Sequence, residues 1–153
     1  MYDMRINAAM FVVSTLYFAS AAVHAKHAAQ EPASRTVWNG VYSEAQSKRG
    51  ETAYSQYCAK CHGPDLSGAD VAPPLTGVEF NSAWNDLAVG ELFERLRVTM
   101  PADKPGSVSA QDNADIVAFL LSKNGFPAGE AELPPQLEIL KTIKIVTQKP
   151  QGR

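Results

Sequence analysis

The sequence is expected to fold as an all-α domain, a few helices closed around one long irregular loop. Three observations carry that expectation. Ile116, Phe119 and Leu120 recur at i, i+3 and i+4, with Val117 and Leu121 beside them, which is the period of a helix burying one face. A second stretch, roughly Asp86 to Val98, places Leu92, Phe93 and Leu96 on one side and Glu91, Glu94, Arg95 and Arg97 on the other, again at helical spacing. No βαβ setting is visible. The 153 residues, 45% hydrophobic and 20% charged, suit one ordinary globular domain. A formal net charge of -2 leaves no basic footprint, so nucleic-acid binding has no support.

At the N-terminus, residues 1–25 read as a signal peptide. Arg5 and the α-amino group precede a largely apolar run from Ile6 to Val23, and Val23-His24-Ala25 offers a small-residue cleavage site with Lys26 starting the mature chain. An uncleaved membrane anchor is the rival, because about 18 apolar residues nearly span a bilayer. Asn7, Ser14 and Thr15 interrupt the run and favour cleavage. Removing residues 1–25 leaves one methionine, Met100, and two histidines, His27 and His62. Residues 26–42 read as a leader with turn signals, in which Trp38, Val41 and Tyr42 are apolar enough to dock on the domain.

The domain proper is expected over residues 43–126. Ser43-Glu44-Ala45-Gln46 has the form of a capping box, starting a helix that runs through Ala53, Tyr54 and Tyr57. Gly50 inside it costs about 1 kcal/mol relative to alanine in a free helix, which suggests a close helix–helix approach; a tolerated surface glycine is the alternative. The helix leads into Cys58-Ala59-Lys60-Cys61-His62. A C-x-x-C-H run reads as a c-type haem attachment site. Thiols at i and i+3 on a helical turn face one side and can bond to the two vinyl groups of one porphyrin, while the adjacent His62 is placed to become an axial ligand of the iron. Structural zinc needs four ligands, and no second cysteine pair exists to supply them. A thioredoxin-like dithiol would need the βαβ setting that is missing.

From Gly63 to about Trp84 regular structure is expected to be scarce, since Gly63-Pro64, Ser67-Gly68, Pro73-Pro74 and Gly77 punctuate it. So long a loop needs an organiser, and a haem would serve, with Leu66, Val71, Leu75, Val78 and Phe80 available for its wall. A backbone carbonyl near Pro73 or Pro74 is expected to accept from His62 Nδ1–H and leave Nε2 for iron. Trp84 is a candidate for a propionate hydrogen bond, with Arg95 or Arg97 as charge partners; core packing and solvated faces are the bland alternatives. Thr99-Met100-Pro101 ends the second helix. Met100, 38 residues after His62, is the choice for the second axial ligand, although a core filler is the usual fate of a methionine.

The closing helix starts at Ser109-Ala110-Gln111-Asp112 and stops at Gly125 and Pro127. Its stripe needs a surface to bury against, and the Gly50–Tyr54 face of the first helix is the natural one. Residues 127–153 form an extension with a further apolar series, Leu137, Ile139, Leu140, Ile143 and Ile145. It is expected to pack along the domain; a docking strip for a partner is the alternative.

Taken in order, Gly50-x3-Tyr54-x3-Cys58, the Cys58–His62 motif, Pro73-Pro74-Leu75, Met100-Pro101 and a closing helix carrying Ile116 and Phe119 resemble a class I cytochrome c over residues 43–126. The resemblance implies the class I cytochrome c fold: few helices packed around one covalently attached haem c, a long haem-wrapping loop, and first and last helices crossing where Gly50 and Tyr54 meet Ile116 and Phe119. It implies thioether bonds at Cys58 and Cys61 and low-spin iron between His62 and Met100. The function is then outer-sphere electron transfer rather than catalysis. Haem of this type is typically attached outside the bacterial cytoplasm, which implies a periplasmic location. Asp65-Leu66-Ser67-Gly68, Ala72-Pro73-Pro74-Leu75, Trp84, Leu92-Phe93 and the Glu132-Leu133-Pro134-Pro135 tail are similar to small periplasmic cytochromes, including c domains that accept electrons from PQQ-type dehydrogenases. The partners implied are a periplasmic dehydrogenase as donor and an oxidase or another cytochrome as acceptor, with membrane contact only if the signal is uncleaved. Two alternatives stay open: a haem subunit held tightly by such a dehydrogenase, and a five-coordinate peroxidase or gas sensor, which requires Met100 to be displaced.

Overall fold

The computed structural model describes residues 35–151. The expected signal peptide, its cleavage site after Ala25 and the leader as far as residue 34 lie outside the described residues, as do Gly152 and Arg153. Within them the chain is mostly helical. A two-residue strand β1 (Arg35–Thr36) and a 3-10 turn lead into α1 (Glu44–Tyr57), α2 (Ala59–His62), α3 (Gly77–Trp84), α4 (Val89–Thr99), α5 (Ala110–Lys123), the short α6 (Leu137–Leu140) and a second two-residue strand β2 (Ile143–Lys144).

The two long helices begin where polar caps predict. Ser43 Oγ accepts from the Gln46 N–H at 3.1 Å, and Ser109 Oγ accepts from the Asp112 N–H at 3.0 Å. Each satisfies one amide that has no partner inside the helix. Their crossing explains Gly50. A Cβ built there would lie 1.8 Å from the Asp115 carbonyl oxygen and 2.9 Å from Phe119 Cβ, so no larger side chain fits between α1 and α5. One turn on, the Tyr54 and Phe119 rings sit 5.3 Å apart and tilted, an arrangement that adds to their area burial.

α5 is buried on more than the one face its stripe announces. Ile116, Phe119 and Leu120 join a smaller cluster with Ala53, Tyr54, Leu66 and Val108. Ala114, Val117, Ala118 and Leu121 join a larger one with Phe80, Val89, Leu92 and Phe93. The helix is thus a wall shared by two apolar clusters, and Leu96 of α4 packs against both.

Three expectations need correction. The loop after the cysteine motif is irregular only as far as Thr76. Gly77, read as a break, opens α3, because Phe80 is buried in the larger cluster and pulls a turn of helix onto it. Of the residues offered as one apolar wall, Leu66 and Leu75 stand against the cluster that includes Cys58, Phe80 faces the other cluster, and Val71 and Val78 are exposed. The second helix starts at Val89 rather than Asp86, since Asp86 and Leu87 are engaged with Ile145: Asp86 N–H donates to the Ile145 carbonyl, and the Ile145 N–H donates to the Leu87 carbonyl, both at 2.8 Å.

That pairing belongs to the C-terminal extension. Leu133, Leu140, Ile143 and Ile145 are fully buried in the larger cluster, so this apolar series is not a free docking strip. β2 pairs in parallel with β1, Arg35 opposite Ile143 and Thr36 opposite Lys144, and the Trp38 indole N–H donates to the Val146 carbonyl at 2.6 Å. Val37, Val41 and Tyr42, inside the expected leader, are buried in the same cluster. Gly90 lets the extension come this close: a Cβ there would stand 2.8 Å from the Lys141 backbone nitrogen.

A polar network centred on the buried Gln46 and Asp115 fastens these parts together. Asp115 of α5 receives Arg49 Nε at 2.8 Å, Gln46 Nε2 at 3.1 Å and Gln111 Nε2 at 2.9 Å. Arg49 continues to Glu132 at 2.8 Å. Gln46, whose side chain would return to the helix start in a full capping box, instead pairs with the backbone of Leu133, donating to its carbonyl at 2.9 Å and accepting its N–H at 2.8 Å. Burial works against the Asp115 carboxylate, but the hydrogen bonds from Arg49, Gln111 and Gln46 outweigh it and hold its pKa below the usual range. A carboxyl depressed on folding stabilises the native state above its unfolded pKa of about 3.9, and the contribution fades as pH falls through the folded value. Asp115→Asn is therefore expected to lose on the order of 1–3 kcal/mol at neutral pH. The gap to the wild type should close below about pH 4. Denaturant melts at several pH values check this; a gap that is constant down to acid pH would remove Asp115 ionisation from the account.

Candidate haem site

The motif sits on a corner. Cys58 ends α1, with its N–H bonded to the Tyr54 carbonyl at 2.8 Å, and its own carbonyl then accepts the N–H groups of Cys61 at 3.1 Å and His62 at 3.0 Å. The single turn from Cys58 to His62 therefore carries both thiols and the imidazole in a fixed order. Cys58 is half-buried against the smaller cluster, next to Tyr57, Ala59 and Leu75, and Cys61 is exposed. Burial, and then the neighbouring Cys61, push the Cys58 thiol up to about 11. A dithiol oxidoreductase needs the opposite, a thiolate stabilised near neutral pH.

His62 is oriented by the loop. Its Nδ1 lies 2.9 Å from the Pro73 carbonyl oxygen. A carbonyl can only accept, so Nδ1 carries the proton, and in the neutral ring the lone pair is then on Nε2. This is the carbonyl contact expected from the sequence. The loop returns to the motif at one further point and is otherwise closed on itself. Gly68 N–H donates to the His62 carbonyl at 2.9 Å, Leu75 N–H donates to the Leu66 carbonyl at 2.9 Å, and Ala69 and Ala72 exchange a pair of backbone bonds. Tyr54 Oη donates to the Gly63 carbonyl at 2.6 Å, and burial raises the phenol to about 12, so the hydroxyl stays a donor at any physiological pH.

Met100 follows α4 directly, its N–H bonded to the Leu96 carbonyl at 3.0 Å. It is half-buried, and Leu96 one turn earlier packs on the same cluster as Cys58. Among the described residues Met100 is the only methionine and His62 the only histidine. Trp84 packs on the larger cluster, its ring 6.3 Å from Phe80, and Arg95 and Arg97 are exposed on α4. The donor set of two thiols on one turn and an imidazole with a free Nε2 fits a covalently held haem.

Comparison with known proteins settles the family. The model of the family described as cytochrome c oxidase, cbb3-type, subunit III matches residues 45–120. The chain is a class I c-type cytochrome. Its cofactor is one covalently bound haem c, and it is an electron-transfer protein rather than an enzyme. Among solved structures, the cytochrome is similar to a chain of the sulfane dehydrogenase SoxCD from Paracoccus pantotrophus, at 21% identity and a TM-score of 0.47, over 70% of this chain and 61% of that one. The match thus spans less than two thirds of the SoxCD chain. No match emerges among curated protein sequences. No helix among the described residues is long and apolar enough to cross a membrane.

Two features escaped sequence reading. The Arg49–Asp115–Glu132 network uses residue types that elsewhere decorate exposed helix faces, and no spacing rule couples them. Asn124, just beyond α5, has contacts whose sequence separation is close to fifty, which only a structure can bring together.

Proposed function

We propose that this cytochrome is an exported monohaem electron carrier. Cys58 and Cys61 would hold the porphyrin through thioethers, and His62 and Met100 would ligate its iron. It takes electrons from a periplasmic dehydrogenase and passes them to an oxidase or another cytochrome. The observation that carries the reading is the His62 Nδ1–Pro73 carbonyl bond at 2.9 Å, which favours the neutral tautomer with its lone pair on Nε2. Such a bond also raises the basicity of the ligand nitrogen. The position of Met100 supports the second ligand: it leaves α4 beside the cluster on which Cys58 rests. When bound, haem c supplies a one-electron ferric/ferrous couple. A thioether ligand biases that couple toward the ferrous state, and an apolar wall does the same. Leu66 and Leu75 contribute that wall here.

With His62 and Met100 both on the iron, no coordination position would be left for a substrate, and the exposed Cys61 and Lys60 would form the rim at which electrons pass. The experiment is a reductive titration of the purified protein with spectra taken at each step, followed by carbon monoxide on the ferrous form. A one-electron transition and no ready carbon monoxide adduct are expected. Prompt binding by the wild type would overturn the Met100 assignment and favour a five-coordinate haem.

A further inference from the structure

Pro73 holds the His62 ring, and what holds Pro73 lies outside the motif. Neither Pro73 nor Pro74 has a backbone N–H, so this stretch cannot anchor itself through its own amides and must be fixed from its flanks. On one side Ala72 is tied to Ala69 by bonds of 2.8 and 3.1 Å. On the other, the chain is gripped by one side chain. Asn124 Nδ2 donates to the Leu75 carbonyl at 3.0 Å and to the Leu120 carbonyl at 2.8 Å, and its Oδ1 accepts the Gly77 N–H at 3.1 Å. The amide orientation follows from the partners, since a flipped Asn124 would face its NH2 toward an N–H and its oxygen toward two carbonyls.

The geometry points to Asn124 as a positioning residue for the haem ligand. It joins the end of α5, whose body is buried on both sides, to the segment two residues beyond the Pro73 carbonyl, and so sets where that carbonyl meets His62 Nδ1–H. The inference deepens the proposed function and rests on its assignment of His62 as an axial ligand. Without the Asn124 bridge, Leu75 retains its N–H bond to the Leu66 carbonyl, and Leu66 keeps its apolar packing on α5. The directional polar link between the Leu75–Gly77 stretch and the end of that helix is then lost. Because the bond to Nδ1 tunes how strongly the imidazole donates to its metal, loosening it changes the electronics of the site as well as its mobility.

The test uses the holoprotein and the variants Asn124→Ala, Asn124→Asp and Ile143→Ala. The readouts are the solvent-exchange rate of the His62 Nδ1–H proton by NMR in the ferrous state and the reduction potential. Asn124→Ala should raise the exchange rate by about tenfold or more and shift the potential. Asn124→Asp, which keeps the acceptor for Gly77 and loses the donor for Leu75, should fall between Ala and wild type. Ile143→Ala weakens the other cluster; it should lower thermal stability while leaving ring-proton exchange at the wild-type rate. Exchange unchanged in Asn124→Ala, or raised equally by Ile143→Ala, overturns the role given to Asn124 while leaving the ligation intact. A wild type with no haem-shifted His62 ring signal overturns both.

Discussion

Met100→Ala is expected to open one axial face of the haem and lower the reduction potential. Axial ligands set haem potentials across a range of about 0.8 V, and exchanging a thioether for water or hydroxide moves the couple toward the ferric side by a substantial part of it. The ferrous variant should bind carbon monoxide promptly where the wild type does not. The local structure limits collateral damage. Met100 caps α4 with its backbone N–H, which alanine retains, and the side chain is half-buried rather than part of either fully packed cluster. A potentiometric titration beside a thermal melt therefore separates loss of ligand from loss of fold. A variant whose potential and carbon monoxide reactivity equal those of the wild type would remove Met100 from the iron.

Truncation after Gly129 should abolish folding instead of merely detaching a partner. The segment removed contains Leu133, Leu140, Ile143 and Ile145, all fully buried. Each such side chain contributes about 1.5–3 kcal/mol through burial. Their combined loss is comparable with the total stability of an ordinary domain, about 5–15 kcal/mol. The cut also removes Glu132 from Arg49, both Leu133 backbone bonds from Gln46, and the strand that pairs with β1. The shortened chain should show no cooperative melt. A sharp transition within about 5 °C of the full-length protein, the shift that roughly 1 kcal/mol produces in a domain this size, would mean that the extension is an accessory after all.

How far the sequence could be read depended on whether a residue's role was local. Ser43 and Ser109 cap the amides three residues ahead, so the starts of α1 and α5 were legible from spacing alone. Gly50 was legible because a mid-helix glycine needs a reason, and the Asp115 carbonyl is that reason. The Pro73 contact to His62 was legible because two prolines leave carbonyls without competing amides. Where a residue answers to something distant, the reading failed. Gly77 looked like punctuation because nothing local shows that Phe80 has a core to enter. Gln46 matched a capping box in type, yet its amide is drawn to Asp115 and Leu133. The tail's apolar residues carried no strict period, since they follow the contours of α4 and α5 instead of one face of a single element. The tethering turn and the closing helix were thus visible in advance, and the joints between them were not.

The pairing of β1 with β2 has a kinetic side. Arg35 pairs with Ile143, and Trp38 bonds to Val146, a separation of 108 residues. Closing so large a loop costs chain entropy that no local contact returns early, so this joint belongs among the late events of folding. Once made, it binds the beginning of the described chain to its end across the larger cluster. Terminal segments ordinarily fray first and leave the interior intact. Here fraying at either end exposes the backbone of the other, so opening by that route removes both edges of the same core together.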